Sequence, residues 1–162
     1  MSHTRLLQRI LWEGQEAALI LEDDALLAPS FSSRLAALLP TLPSDWDVLY
    51  LNTCDGIDAR NRYHSWGQRA GPLARHLRQA TCTVGYLARY TMAAKVLRHV
   101  AFRAGGPLDL VYTDMLREGA LNGYVADPPL CGWTAQAKNS TVDSAESKRI
   151  GKSRGAYSGD GP

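Results

Sequence analysis

Residues 17–24, AALILEDD, constrain the fold more than any other stretch. A run this short and this apolar, stopped by three consecutive acids, has the pattern of a strand buried on both faces in a parallel or mixed sheet. Residues 47–52, DVLYLN, repeat that pattern. Around these runs stand segments with helical period. Ser2 can cap a first helix in which Leu6, Leu7, Ile10 and Leu11 share one face while Arg5, Gln8, Arg9 and Glu13 point away. Gly14 ends it. Pro29-Ser30 opens a second helix to about Leu39, closed by Pro40 and Pro43. Strand character returns over residues 80–88, followed by helix over 90–101. Another helix runs from about Pro107 to Glu118 and stops at Gly119. LNGYVAD is a last short strand before Pro128-Pro129. Helices alternating with short buried strands predict an α/β layered domain.

The chain of 162 residues has room for one domain with a real core. The sequence predicts that domain over residues 1–142. Residues 143–162 are polar, mildly basic and rich in Gly and Ser, and are expected to form a disordered tail. Residues 54–78 read as a long irregular loop, a feature that in a compact domain is usually functional or mobile. A formal charge of +2 is too small to point to nucleic acid as the main partner. No apolar stretch approaches the roughly 20 residues of a membrane span. Met1-Ser2-His3 leads straight into an amphipathic pattern, so no signal peptide is expected. Cys54, Cys82 and Cys131 match neither a CxxC metal site nor a disulfide framework, and a reducing compartment is the simpler expectation.

Glu22, Asp23 and Asp24 set the chemical question. Adjacent carboxylates repel, and keeping them ionised beside a low-dielectric core needs a partner. A solvated turn capping a strand is one answer; a divalent cation is the other. A phosphorylation receiver domain also pairs an acidic strand end with a later strand ending in a phosphoacceptor Asp. Here that position is Asn52, and an amide cannot form an acyl phosphate. A haloacid-dehalogenase-like phosphatase would want a hydroxyl residue just after the acids, and EDDALL has none. A nucleotide-sugar glycosyltransferase of the GT-A type ends an apolar strand in a D-x-D-like turn. There a cation on hard carboxylate oxygens neutralises the charge that develops on the leaving diphosphate. Glu22 and Asp24 have that spacing.

Several segments taken in order carry a more specific likeness. Ser2-His3-Thr4-Arg5 opens an amphipathic helix, and Leu19-Ile20-Leu21-Glu22-Asp23-Asp24-Ala25 follows. Trp46-Asp47-Val48-Leu49-Tyr50-Leu51 comes next, then Thr83-Val84-Gly85-Tyr86-Leu87 and Ala94-Lys95-Val96-Leu97. Pro107-Leu108-Asp109 and Asp127-Pro128-Pro129 complete the series. In this order the chain resembles glycosyltransferase family 25, the lipooligosaccharide and procollagen galactosyltransferase-like group, from about residue 2 to about 143. The resemblance implies a GT-A-like mixed sheet flanked by helices, shortened by the strand–helix–strand unit with which family members begin.

The same resemblance implies transfer of a hexose, galactose or glucose, from a UDP-sugar to a glycan acceptor such as lipooligosaccharide, assisted by Mn2+ or Mg2+. Glu22 and Asp24 become the metal ligands, with Glu22 and Asp23 against the diphosphate. Asp109 becomes the general base and Asp114 its alternate, although an acid in the first turn of a helix also serves the helix dipole. Ser2 and His3 face the donor, or Ser2 is merely an N-cap. Tyr63 and Trp66 stack on a sugar ring or anchor the loop to the core. Arg60, Arg62, His64, Arg69, Arg75 and Arg78 form a cationic floor or are scattered surface charge. Lys95 and Arg98 are expected on a solvated helix face, and Trp46 and Tyr86 in the core. The location implied is cytoplasmic, open to peripheral attachment at the inner membrane face. A fold short of its first unit is also open to completion by self-association or a partner chain. The alternative function is a non-catalytic or partner-completed glycan- or nucleotide-binding domain of the same fold.

Overall fold

The computed structural model describes residues 2–53, 66–80, 82–102 and 107–133. Tyr63, Arg60, Arg62, His64 and the expected tail lie outside the described residues. The elements run α1 (His3–Glu13), β1 (Ala17–Leu21), β2 (Ala25–Leu27), α2 (Phe31–Leu38), a short 3-10 turn (Leu39–Thr41) and β3 (Val48–Tyr50). They continue with β4 (Trp66–Arg69), β5 (Ala74–Leu77), β6 (Gly85–Arg89), α3 (Tyr90–Phe102), α4 (Leu108–Arg117), β7 (Gly123–Ala126) and β8 (Cys131–Trp133). Six strands form one mixed sheet in the order β1-β6-β3-β7-β5-β4, and β2 pairs with β8 apart from it. Among the described strands, only β3 and β7 run parallel; the other pairs are antiparallel. The fold is therefore mixed α/β, with helices flanking a mixed sheet.

Strand alternation sorts the core into two layers. Ile20, Tyr86, Tyr50 and Val125 lie in register across β1, β6, β3 and β7 and pack beneath Leu7 and Ile10 of α1, Met92 and Val96 of α3, and Tyr112 of α4. Leu49, Leu87, Tyr124 and Ala126 belong to the opposite cluster, with Leu38 of α2, Leu42 and Leu130. Gly14 closes α1 in the left-handed conformation, φ 63°, where a side chain would be strained. Asp127-Pro128 is a cis peptide bond.

Several expectations need correction. The run at residues 17–21 does form a strand, but at the sheet edge and only half covered: Leu19 and Leu21 are 41% and 40% exposed. An apolar run alone does not report whether a neighbour lies on both sides. Residues 66–69 and 74–77, expected as loop, form β4 and β5. In β5 the buried Ala74 and Leu77 bracket the half-buried Arg75 and His76, whose long polar side chains hide the strand pattern. β2 and β8 were also not foreseen. Ser2 does hold the N-cap position of α1, yet its side chain makes no capping bond. Cys82 is disulfide-bonded, whereas Cys131 is buried and free. Three reduced thiols were the wrong expectation, because spacing along a chain does not show which cysteines the fold brings together. No helix among the described residues is long and apolar enough to cross a membrane.

Candidate functional site

The acidic turn leaves the carboxyl end of β1, and its three side chains fare differently. Asp23 is exposed, while Glu22 and Asp24 are half-buried. Side chains alternate along β1, so Glu22 follows Ala18 and Ile20 onto the α1 face of the sheet. There Thr83 donates its hydroxyl to Glu22 Oε1, and His3 Nε2 stands 3.5 Å from the same oxygen. The imidazole holds the Glu22 carboxyl below the usual carboxylate range, against the opposing effect of partial burial, and Thr83 adds to the lowering. Oε1 takes both contacts, and no hydrogen bond reaches Oε2 from any described residue. Asp24 differs again: its Oδ1 is shut off from water and has no hydrogen-bond partner among the described residues.

Behind Glu22 lies a wall of phenols. His3 Nδ1 is 2.8 Å from the Tyr86 hydroxyl, and the two rings stack with centroids 5.7 Å apart. A carboxylate only accepts, so in the neutral imidazole Nε2 carries the hydrogen and Nδ1 accepts from Tyr86. The Tyr86 hydroxyl is 3.4 Å from that of Tyr112, and Tyr86 also stacks on Tyr50 at 5.7 Å. Burial pushes all three phenols up, Tyr112 to about 12. They remain neutral hydroxyls at any ordinary pH, able to donate hydrogen bonds but not to serve as bases. Tyr50 is fully buried and its hydroxyl has no partner. After burial, Tyr112 and then Asp109 add to the rise in its pKa.

The fold therefore gathers residues from five separate segments: His3 at the start of α1, Glu22 after β1, Tyr50 on β3, Thr83 and Tyr86 at the entry to β6, and Tyr112 on α4. Of the residues foreseen, His3 and Glu22 meet here, but His3 faces Glu22 and Tyr86 rather than open solvent. Asp109 is half-buried, and its Oδ1 accepts from the Leu110 amide. Asp114 is exposed and makes no side-chain hydrogen bond among the described residues, while Ser2 is exposed too. The backbone of Trp66 lies in β4, the opposite edge strand from β1. Thr83, Tyr50 and Tyr112 were missed. Tyr86 was read as core, which it is, yet its hydroxyl carries the contact to His3. A cross-strand register such as Tyr50 opposite Tyr86 leaves no trace in sequence spacing.

Of the expected cationic floor, Arg69 and Arg75 are committed elsewhere. Arg75 Nε binds Asp127 Oδ2 at 2.6 Å, Arg69 approaches the same oxygen at 3.5 Å, and Arg78 is exposed. Lys95 is exposed as expected, yet its ammonium binds the buried Asp47 at 2.6 Å. Arg98 is exposed as expected.

An unpartnered buried hydroxyl costs folding free energy, and so gives a direct test. Tyr50→Phe is expected to stabilise the protein by about 1 kcal/mol, read as a raised denaturation midpoint. A loss of stability would mean that Tyr50 has a hydrogen-bond partner after all.

No three His, Cys, Asp or Glu side chains converge into a ready-made metal cage among the described residues. Such a cage is not what a nucleotide-binding cation requires: Mg2+ is typically held by one or two carboxylates plus substrate phosphates and water. The unpartnered Asp24 oxygen and the open Oε2 of Glu22 fit that smaller donor set. A scan against protein-family models finds no match for the chain, and neither does a search of curated proteins.

Proposed function

We propose that the chain is a GT-A-like glycosyltransferase domain of the family 25 type, acting on a UDP-hexose and a glycan acceptor. One observation carries the reading: at the end of an apolar strand, a carboxylate oxygen of Asp24 is removed from water and has no partner among the described residues. Buried carboxylate oxygens are paired or coordinate metals. The order of the segments from Ser2-His3 to Pro128-Pro129 adds the family assignment. Glu22 and Asp24 would hold Mn2+ or Mg2+, which when bound neutralises charge on the departing diphosphate. Asp23, exposed beside them, would face the diphosphate. Asp109 is the base in this reading. It takes the proton of an acceptor hydroxyl as that oxygen bonds to the anomeric carbon; the bond from that carbon to the diphosphate breaks, and its electron pair leaves with UDP. His3 and Thr83 hold Glu22 ionised and oriented rather than touching the sugar. A cytoplasmic location, with glycans presented at the inner membrane face, belongs to the same proposal, and the Cys82 disulfide is the observation that counts against it.

Calorimetric titration of UDP tests it, with and without Mn2+, on the native chain and on Asp24→Asn. UDP is expected to bind only with the metal, and the substitution to abolish binding without lowering thermal stability. The absence of heat at millimolar UDP would sink the donor-site reading and leave a non-catalytic domain of the same fold. Binding that ignores Mn2+ would reject the metal.

A further inference from the structure

The edge of the main sheet at β1 offers a second functional surface, adjoining the acidic turn of the proposed donor site. The amide of Tyr90 donates to the Glu16 carbonyl, and that of Glu22 to the Val84 carbonyl. In an antiparallel ladder, hydrogen-bonded pairs recur at every second residue, so Glu16, Ala18, Ile20 and Glu22 turn their backbone groups toward β6. Ala17, Leu19 and Leu21 therefore point both N–H and C=O away from the sheet, along a free edge. Leu19 and Leu21 expose their side chains on one face of it. On the other face a groove of about 350 Å³ runs between β1 and α1, with Leu6, Ile10 and Ala18 among its lining and the Arg9–Glu13 ion pair on its rim.

Edges of this kind are normally guarded by Lys, Pro or a bulge. β1 has no Lys or Pro, and its register with β6 is unbroken. What it has instead is acid at both ends, Glu16 before it and Glu22 with Asp23 after it. Arg89 stands 3.9 Å from Glu16 but is also turned onto the carbonyls of Ser44 and Trp46, and Glu16 remains 90% exposed. These charges select the occupant. In a two-fold antiparallel pair of β1 strands that matches all three open residues, Leu19 sits on the axis and Glu16 falls opposite Glu22 twice. Like charges directly opposite are destabilising.

We infer that the β1 edge accepts an extended segment of another polypeptide, apolar at alternate positions and carrying Lys or Arg at both ends. Main-chain bonds to Ala17, Leu19 and Leu21 extend the sheet. Alternate side chains enter the α1 groove or cover Leu19 and Leu21, and the basic ends meet Glu16 and the acidic turn.

Amide hydrogen exchange on the full chain tests this, with a short synthetic peptide that alternates valine and threonine between paired Arg and Lys residues. The peptide is expected to slow exchange at Ala17, Leu19 and Leu21 by about tenfold or more. A version ending in glutamates is expected to protect none of them. Leu19→Pro removes an outward N–H without touching the ladder to β6, and should abolish protection. Leu19→Lys, which keeps the backbone intact and repels the basic ends, should do the same. The proposal is overturned if millimolar peptide leaves exchange unchanged or if the glutamate version protects equally. It is also overturned by protection that grows with protein concentration alone, which identifies a second copy. Protection already present in dilute protein without peptide identifies an intramolecular occupant, and overturns it too.

Discussion

Asp47→Ala is expected to cost about 3 kcal/mol of folding stability, although Asp47 touches no part of the candidate site. Its side chain is 2% exposed, and one oxygen accepts both from the Lys95 ammonium at 2.6 Å and from the Asn122 amide at 2.8 Å. Its own amide donates to the Asn122 carbonyl, and its carbonyl accepts from Arg89. The residue thus pins the start of β3 to the entry of β7 and to the outer side of α3. Alanine leaves the Asn122 amide without its partner and the ammonium without its counter-charge. Lys95→Met is the sharper variant, because it keeps the carboxylate buried with only one amide to face it; a cost of about 2–3 kcal/mol is expected. Lys95 is 44% exposed, which moderates the loss. A double-mutant cycle read by chemical denaturation should give a coupling of about 1–2 kcal/mol. A neutral Lys95→Met would restore the solvated helix face that the sequence suggests for this residue.

Why that pair is hidden in the sequence explains much of what is legible and what is not. The helices are readable because their signals are local: Gly14 and Gly119 both adopt positive φ at the helix ends where the pattern places them, and Pro107 holds the N-cap of α4. The buried strand at Val48–Tyr50 is equally local, a continuous apolar run after Trp46-Asp47. What joins these elements is not local. Asp47 and Lys95 lie 48 positions apart, and His3 and Tyr86 lie 83 apart. Arg75 and His76 look like loop residues until β7 pairs beside them. The same holds at the site. The acids at residues 22–24 stand out as a triplet, but nothing in that triplet says that Glu22 turns inward to His3 and Thr83 while Asp23 stays in water. Only the alternation of β1 and the placement of α1 over it decide that.

Asn52→Asp should be the other large loss, and its pH dependence identifies the cause. Asn52 ends the sequence DVLYLN, and an aspartate in its place would complete the pattern of a phosphoacceptor strand. The structure gives the amide a different task. Asn52 is 4% exposed; its Nδ2 donates to the Cys131 carbonyl at 2.9 Å, and its Oδ1 accepts from the Thr53 amide at 2.9 Å. The side chain needs a donor on one arm and an acceptor on the other, which a carboxylate cannot supply. An ionised Asp would bring a negative oxygen against the Cys131 carbonyl out of reach of water, at a cost of about 3 kcal/mol near neutral pH. Protonation supplies the missing donor, so the folded state favours the neutral acid and its pKa rises above the unfolded value of about 3.9. The folded variant then binds more protons than the unfolded one, and its stability falls as pH rises from about 4 toward that raised value. Denaturation midpoints of native chain and variant should accordingly converge near pH 4 and separate toward neutrality. A gap independent of pH would assign the loss to packing, and no gap at all would place Asn52 in contact with water.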